Sequence, residues 1–155
     1  MGGNAHYLAD LCELEGVGRV VTVELAPAAE PPQHDRITYL VGSSTSDEIV
    51  AEVRQHLPAE GPVMVTLDSD HSADHVLQEL QLYASMVTVG SYLIVEDTSV
   101  NGHPVWPSFG PGPFEAVEKF MATTDDFEVD PTMEKFMLTS NHRGFLQRVQ
   151  ETRAH

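Results

Sequence analysis

The chain has 155 residues, 24 of them acidic and 8 basic, so its formal net charge is −16 with histidine neutral. This length corresponds to about one domain. A surface this negative repels phosphate backbones and anionic lipid headgroups, which argues against nucleic acid and membrane partners. The single cysteine, Cys12, excludes an internal disulfide and a cysteine-rich zinc site. No signal-peptide pattern or bilayer-length apolar run is visible, so a cytoplasmic location is expected.

Helical and extended patterns alternate along the chain. The predicted elements are, in order, a helix over Asn4–Glu15, strands over Arg19–Leu25 and Ile37–Val41, a helix over Ser46–Leu57, a strand over Val63–Leu67, a helix over Ser72–Ala84, a strand over Tyr92–Val95 and a helix over Phe114–Met121. Phe127–Val129 and Phe136–Leu138 flank Asp130–Pro131 and predict a terminal hairpin, and Arg143–Thr152 predicts a last short helix. Strands separated by helices indicate one α/β domain over residues 1–155, with a mostly parallel sheet and an antiparallel edge.

Acidic residues follow two of the predicted strands. Asp68 and Asp70 come after Val63–Leu67, and Glu96 and Asp97 come after Tyr92–Val95. If these strands are neighbours, the four carboxylates converge beyond the carboxyl edge of the sheet, where such folds bind ligands. Oxygen ligands of this kind favour Mg²⁺, Mn²⁺ or Ca²⁺ over zinc. The alternative is that these acids simply lie in solvent at the strand ends.

His71 lies three residues after Asp68 and could act as a general base beside a bound metal. The alternative is a loop histidine at the start of the next helix. His75 lies one helical turn further on, so the segment HSADH could also hold a metal through two imidazoles and a carboxylate, as in a facial triad.

Two further features suit a nucleotide-like cofactor. Glu24 ends a predicted strand, where nucleotide-binding sheets place an acid that accepts hydrogen bonds from ribose hydroxyls. Gly2–Gly3 precede a helix and would allow a cofactor to approach its N-terminus closely. Glu24 could equally be an ordinary polar strand end, and the glycines a flexible terminus.

The segment WPSFGPGPF carries Trp106, Phe109 and Phe114 in a Pro/Gly-rich loop. Such a loop over the strand ends could form a lid or a wall of an acceptor site. The alternative is a rigid connector whose aromatic rings pack on the body of the domain.

The sequence as a whole resembles the cephalosporin hydroxylase family, which includes rhamnosyl O-methyltransferase-like proteins. The blocks LDSDH and VEDT carry the resemblance most specifically. It extends to GNAHYLADLCEL, RVVTVEL, RITYLVGSST, GPGPFEAVEKF and FEVDPTMEKFMLTSNHRGFLQRV, and so covers nearly the whole chain. The family has a Rossmann-like class I methyltransferase fold, so the resemblance implies transfer of a methyl group from S-adenosylmethionine to a hydroxyl of a sugar or polyhydroxylated natural product.

The resemblance also implies roles for individual residues. Asp68, Glu96 and Asp97 match the positions that hold Mg²⁺, and His71 matches the base that deprotonates the acceptor. The positions that match the cofactor site are Gly3, Ala5, His6, Glu24, Ser43, Ser44 and Asp68.

One departure from the family pattern concerns the first strand of the sheet. Here Met1 lies inside the cofactor motif, with no strand before it, so an N-terminally truncated sheet is expected. Three outcomes are then open: the strands at Arg19–Leu25 and Val63–Leu67 pair directly, another chain fills the gap, or the sequence is a truncated product. An alternative function is accordingly a noncatalytic domain that self-associates into a homo-oligomer. A third, an Fe(II)/2-oxoglutarate hydroxylase, fits the βα alternation poorly.

Overall fold

The structure, a computed structural model, describes residues 3–26, 33–135 and 139–151. Its contacts divide the chain into two units, one up to His56 and the other from Leu57 onward. The helices are α1 (Gly3–Glu15), α2 (Asp47–Gln55), α3 (Ala73–Tyr83) and α4 (Pro113–Met121). The strands are β1 (Val20–Glu24), β2 (Ile37–Val41), β3 (Val65–Leu67), β4 (Tyr92–Val95), β5 (Phe127–Val129) and β6 (Phe145–Arg148).

The first unit contains a parallel pair of strands and two helices. β1 and β2 are in register from Val20 opposite Ile37 to Glu24 opposite Val41, as their β-branched sequences favour. Helix α2 begins where predicted, because the Ser46 hydroxyl accepts a hydrogen bond from the Ile49 N–H at 3.3 Å. These elements confirm the helix and strand predictions for this part of the chain.

The second unit is a four-stranded mixed sheet in the order β3-β4-β6-β5. β3 and β4 are parallel, whereas β6 is antiparallel to both β4 and β5. Helices α3 and α4 pack against each other. Burial of apolar side chains from both layers supplies most of the stabilisation. The core contains Leu67, Val76, Leu80, Val87, Leu93, Val95, Ala116, Val117, Phe120, Phe127 and Leu146.

The predicted helix over Arg143–Thr152 is wrong, because Phe145–Arg148 forms strand β6 between β4 and β5. The predicted antiparallel edge is confirmed, with β6 as the partner of β5. The predicted second hairpin strand, Phe136–Leu138, lies outside the described residues.

The two sheets are separate in the described part of the chain. β1 pairs with β2 and β3 pairs with β4, so direct pairing between the strands at Arg19–Leu25 and Val63–Leu67, one of the three outcomes left open, is not found among these residues. None of the helices in the described ranges combines the length and the apolar character that crossing a bilayer requires.

Candidate functional site

The carboxyl ends of β3 and β4 bring two of the predicted acids to one edge of the sheet. The strands are parallel neighbours, and Leu67 lies opposite Val95. Asp68 follows β3 directly, and Asp97 follows β4 after one intervening residue. Because the Glu96 N–H donates to the Leu67 carbonyl oxygen at 3.0 Å, the two chain segments stay together beyond the strands. The register of this parallel pair therefore places both acids at the predicted ligand-binding edge.

His71 completes a group of three side chains that we call the acid–histidine cluster (Asp68, His71 and Asp97). The His71 Nε2 lies 3.1 Å from an Asp97 carboxylate oxygen and 3.5 Å from an Asp68 carboxylate oxygen. Ligand atoms of the three residues lie within 4.8 Å of one another. His71 Nε2 is buried and makes no hydrogen bond within the described structure. A buried ring nitrogen facing two carboxylates can be satisfied by a proton or by a cation.

The acid–histidine cluster does not include three other residues that the sequence suggested for a metal site. Asp70 accepts a hydrogen bond from the Ser72 N–H at 2.8 Å just before α3, and this bond lowers the pKa of the Asp70 carboxyl. Glu96 is not among the residues whose ligand atoms converge in the acid–histidine cluster. The His75 Nε2 lies 3.5 Å from a Glu79 oxygen rather than in that cluster. Among the described residues the cluster thus has one imidazole and two carboxylates, not the two imidazoles of a facial triad.

A buried glutamate supports the loop that carries the cluster. Glu79, on α3, is only 2% exposed, and one of its oxygens accepts a hydrogen bond from the Ser69 hydroxyl at 2.7 Å. Ser69 lies between the two aspartates of the loop that follows β3. Since a buried carboxylate is costly unless it is hydrogen-bonded, this contact ties the loop firmly to α3.

Asp97 is held in an uncommon backbone conformation, with φ of 53°. Its N–H donates to the Asn141 side-chain oxygen at 3.0 Å, and the neighbouring Thr98 hydroxyl donates to the His142 carbonyl oxygen at 2.7 Å. The loop before β6 therefore fixes the position of Asp97. Sequence reasoning missed Asn141, because nothing in the pattern links a residue so far along the chain to the end of β4.

The Pro/Gly-rich loop before α4 is fastened by Glu115. This carboxylate accepts hydrogen bonds from the Gly112 N–H, the Asn101 amide and the His103 ring. Burial by itself raises the pKa of Glu115, but these hydrogen bonds outweigh it and lower the pKa from 4.5 to about 2. Phe114 stacks on the His103 ring with centroids 3.8 Å apart. Phe114 therefore packs as expected for a rigid connector, the alternative interpretation of this loop, and the hydrogen bonds of Glu115 hold that connector together.

Three of the predicted cofactor residues lie on α1. Gly3 begins the helix, and no described atom outside its own stretch of helix lies within 4 Å of the position that a Cβ would occupy. Ala5 is buried. The His6 ring contacts the ring of His34 edge-on, with centroids 5.7 Å apart, and its Nε2 lies 3.7 Å from an Asp10 oxygen.

Three more predicted cofactor residues of the first unit lie at the carboxyl ends of β1 and β2. Glu24 ends β1, and its carbonyl oxygen accepts a hydrogen bond from the Gly42 N–H at 2.9 Å. Ser43 and Ser44 begin the turn into α2, where the Ser43 hydroxyl lies 3.0 Å from the Thr45 hydroxyl. Parallel pairing thus places Glu24 and this turn at the same edge of the β1–β2 pair, as predicted.

The chain is similar to a known family over most of its length. The family model described as Rhamnosyl O-methyltransferase/CmcI matches residues 1–149. A rhamnosyl O-methyltransferase from Mycobacterium bovis is 42% identical over 154 residues, which cover 95% of this chain. One from Mycobacterium leprae is 38% identical over 157 residues, covering 95% of this chain and 67% of that protein. The chain spans 63% of the length of the Mycobacterium bovis relative.

A solved structure supports the fold. It is described as the MycE methyltransferase from the mycinamycin biosynthetic pathway in complex with Mg and SAH. The similarity has a TM-score of 0.54 at 17% identity and covers 86% of this chain and 38% of that one. The α/β class I methyltransferase fold predicted from the sequence is confirmed by this likeness.

Proposed function

Because the chain belongs to the Rhamnosyl O-methyltransferase/CmcI family, we propose that it takes part in S-adenosylmethionine-dependent O-methylation of a sugar hydroxyl, with rhamnosyl groups as the first acceptors to test. The observation that carries the proposal is the acid–histidine cluster, in which His71 Nε2 lies 3.1 Å from Asp97 and 3.5 Å from Asp68. On this proposal residues 1–155 act as one methyltransferase domain.

The residues of the cluster suit a divalent cation. The two carboxylates of the cluster offer oxygen donors, which favour Mg²⁺, while the buried His71 Nε2 stays outside the proposed set of metal ligands. Asp68 and Asp97 would hold the ion, with Glu96 as the third predicted ligand. When bound, Mg²⁺ would polarise the acceptor hydroxyl and lower its pKa. The solved relative described with Mg and SAH supports this choice of ion and cofactor.

His71 is the proposed general base. Its Nε2 would accept the proton of the acceptor hydroxyl, and S-adenosylmethionine, when bound, would supply the methyl group to that oxygen and be released as S-adenosylhomocysteine. The ring lies between the two carboxylates, at 3.1 Å from Asp97 and 3.5 Å from Asp68. The Ser69–Glu79 and Asp97–Asn141 hydrogen bonds keep the ring and the carboxylates in place for the transfer.

Six of the seven proposed cofactor residues lie in the first unit, and the seventh, Asp68, lies in the second. Glu24 would accept hydrogen bonds from the ribose hydroxyls, and Ser43 and Ser44 would lie on the adenine side. The start of α1, at Gly3, Ala5 and His6, is the proposed counterpart of the glycine-rich cofactor motif. Asp68 is assigned to the cofactor as well as to the metal.

The test is methyl transfer from labelled S-adenosylmethionine to a methyl rhamnoside in Mg²⁺, before and after addition of EDTA. We expect EDTA to abolish turnover and Asp68→Asn to lower it by at least about a hundredfold. Asp74→Asn is the matched control, because it removes the same charge from an almost fully exposed side chain on α3. Metal-independent turnover, or Asp68→Asn activity equal to that of Asp74→Asn, would contradict the assignment.

A further inference from the structure

We propose that Trp106 and Phe109 form an aromatic platform that binds the sugar ring of the acceptor beside the acid–histidine cluster. This inference rests on the proposed function, since it identifies the surface that would hold the acceptor of the same site. Neither residue is explained by the connector role of the Pro/Gly-rich loop, which Phe114 and Glu115 already fulfil.

Trp106 is displayed to solvent in a conformation that a bulky residue rarely adopts. Its side chain is 62% exposed, and its backbone φ is 46°, in the left-handed region. Both features are unfavourable by themselves, since exposure forgoes apolar burial and the backbone is strained. Strained residues cluster at ligand-binding sites, where surrounding structure maintains them.

Hydrogen bonds in the surrounding loop maintain the backbone conformation of Trp106. The Val105 N–H donates to the carbonyl oxygen of the buried Ser99 at 3.0 Å, and the Gly102 N–H donates to the Val105 carbonyl oxygen at 2.8 Å. The Phe109 N–H donates to the Trp106 carbonyl oxygen at 3.0 Å. Trp106 is therefore presented by a hydrogen-bonded loop, so little conformational entropy is lost when a ligand stacks on it.

The platform borders the segment that carries His71. A Cβ placed on Gly112 would lie 3.3 Å from the His71 carbonyl oxygen and 3.4 Å from the Phe109 ring, so both border the same small space. The Pro111 carbonyl oxygen also accepts a hydrogen bond from the Ala73 N–H at 3.1 Å. The Trp106 ring meets Phe109 edge-on, with centroids 5.1 Å apart and planes at 69°. The Phe109 ring thus connects the exposed Trp106 to the segment that carries His71.

The chemistry of this surface suits a neutral pyranose. One face of such a ring presents C–H groups, which bind the electron-rich face of an indole, and the methyl group of a 6-deoxy sugar adds apolar contact. The hydroxyl groups at the ring edge would then point to the polar cluster, as in ligand sites that combine apolar walls with a few polar groups. The net charge of −16 disfavours a sugar phosphate in the same place.

Trp106 is the only tryptophan of the chain, so its fluorescence reports on the platform directly. The experiment titrates the full chain, in Mg²⁺, with methyl α-L-rhamnopyranoside and follows the emission. We expect a saturable blue shift as the ring covers the exposed indole. Glycerol, which has hydroxyl groups but no ring face, serves as the control ligand and should leave the emission unchanged.

The affinity of Trp106 variants for the same glycoside is then measured by saturation-transfer NMR. Trp106→Ala should weaken binding about tenfold and Trp106→Phe about threefold or less. Val89→Ala should bind like wild type, because Val89 is an apolar side chain, 47% exposed, in the turn that leads into the amino end of β4.

Three results would overturn the platform. The first is that the chain does not bind the glycoside in Mg²⁺, and the second is that it binds the glycoside without a change in Trp106 emission and that Trp106→Ala binds it as tightly as wild type. The third is a blue shift that depends on protein concentration in the absence of sugar. The last would show that a second copy covers Trp106. None of these readouts needs methyl transfer. A chain that binds the glycoside through Trp106 but does not bind S-adenosylmethionine would keep the platform and refute the proposed function.

Discussion

Gly144 occupies a position that no larger residue can share. A Cβ there would overlap the Val95 carbonyl oxygen at the end of β4, and it would lie 3.1 Å from the Asn141 carbonyl oxygen. These neighbours are backbone atoms, so they cannot move aside as a flexible side chain would. The contact also lies between β4 and the loop that positions Asp97.

We therefore expect Gly144→Ala to lower the free energy of unfolding by about 2–3 kcal/mol and to weaken Mg²⁺ binding. Chemical denaturation and calorimetric titration measure the two effects. Gly3→Ala is the stability control, since no described atom outside its own stretch of helix lies within 4 Å of the new methyl group. Equal stability of the two variants would show that the Gly144 backbone contact is not as close as described.

Glu115 predicts a specific loss of stability in acid. Its pKa is about 2 in the folded protein and about 4.5 as a free side chain, so the folded state favours the ionised form. The stabilisation is fully present above pH 4.5 and is lost as the pH falls towards 2, amounting to at most about 3 kcal/mol. Glu115→Gln should be less stable than wild type near neutral pH, and the difference should shrink below pH 4.5. A difference that stays constant over this range would contradict the prediction.

The sequence alone predicted those site residues whose position follows from the order of the strands. Asp68, His71 and Asp97 follow neighbouring parallel strands, so the edge rule was enough to bring them together. Asp70 differs because an aspartate can accept a hydrogen bond from the N–H two residues further along, which holds its carboxylate within its own loop. The role of Asn141 depends on a tertiary contact between distant segments, which periodicity and spacing do not encode.

Among the elements, α2 illustrates how local chemistry fixes a helix start. The Ser46 hydroxyl accepts a hydrogen bond from the Ile49 N–H, whereas Ser72 occupies the same position in α3 without capping through its side chain. We expect Ser46→Ala to destabilise the protein by about 1 kcal/mol and Ser72→Ala by less than about 0.5 kcal/mol, as measured by urea denaturation. Equal losses would mean that the Ser46 hydroxyl does not act as a cap.

Strand β6 shows why one element was predicted incorrectly. Its buried positions alternate, with Leu146 and Arg148 inward, but an arginine at an inward position hides the period-two pattern. Arg148 is only 5% exposed because its guanidinium donates to the carbonyl oxygens of Val87 and Ser85. These partners become available only once the chain is folded, so the sequence alone did not identify this segment as a strand.

For the whole molecule, the charge of −16 means that any salt reduces self-repulsion, so a gain in stability from Mg²⁺ needs a matched comparison. At equal ionic strength, MgCl₂ at about a hundred times its Kd should raise the melting temperature of wild type by about 5–10 °C relative to NaCl. Asp68→Asn should lose this difference and Asp74→Asn should keep it. Equal melting temperatures of wild type in the two salts would argue against a specific ion site.

The proposed methyltransferase function is best tested by calorimetric titration of the 155-residue chain with S-adenosylmethionine, in Mg²⁺ and again after EDTA. We expect micromolar binding of S-adenosylmethionine and a separate Mg²⁺ binding event, which EDTA removes and Asp68→Asn abolishes. A folded chain that binds neither S-adenosylmethionine nor Mg²⁺ would contradict the proposed methyltransferase function.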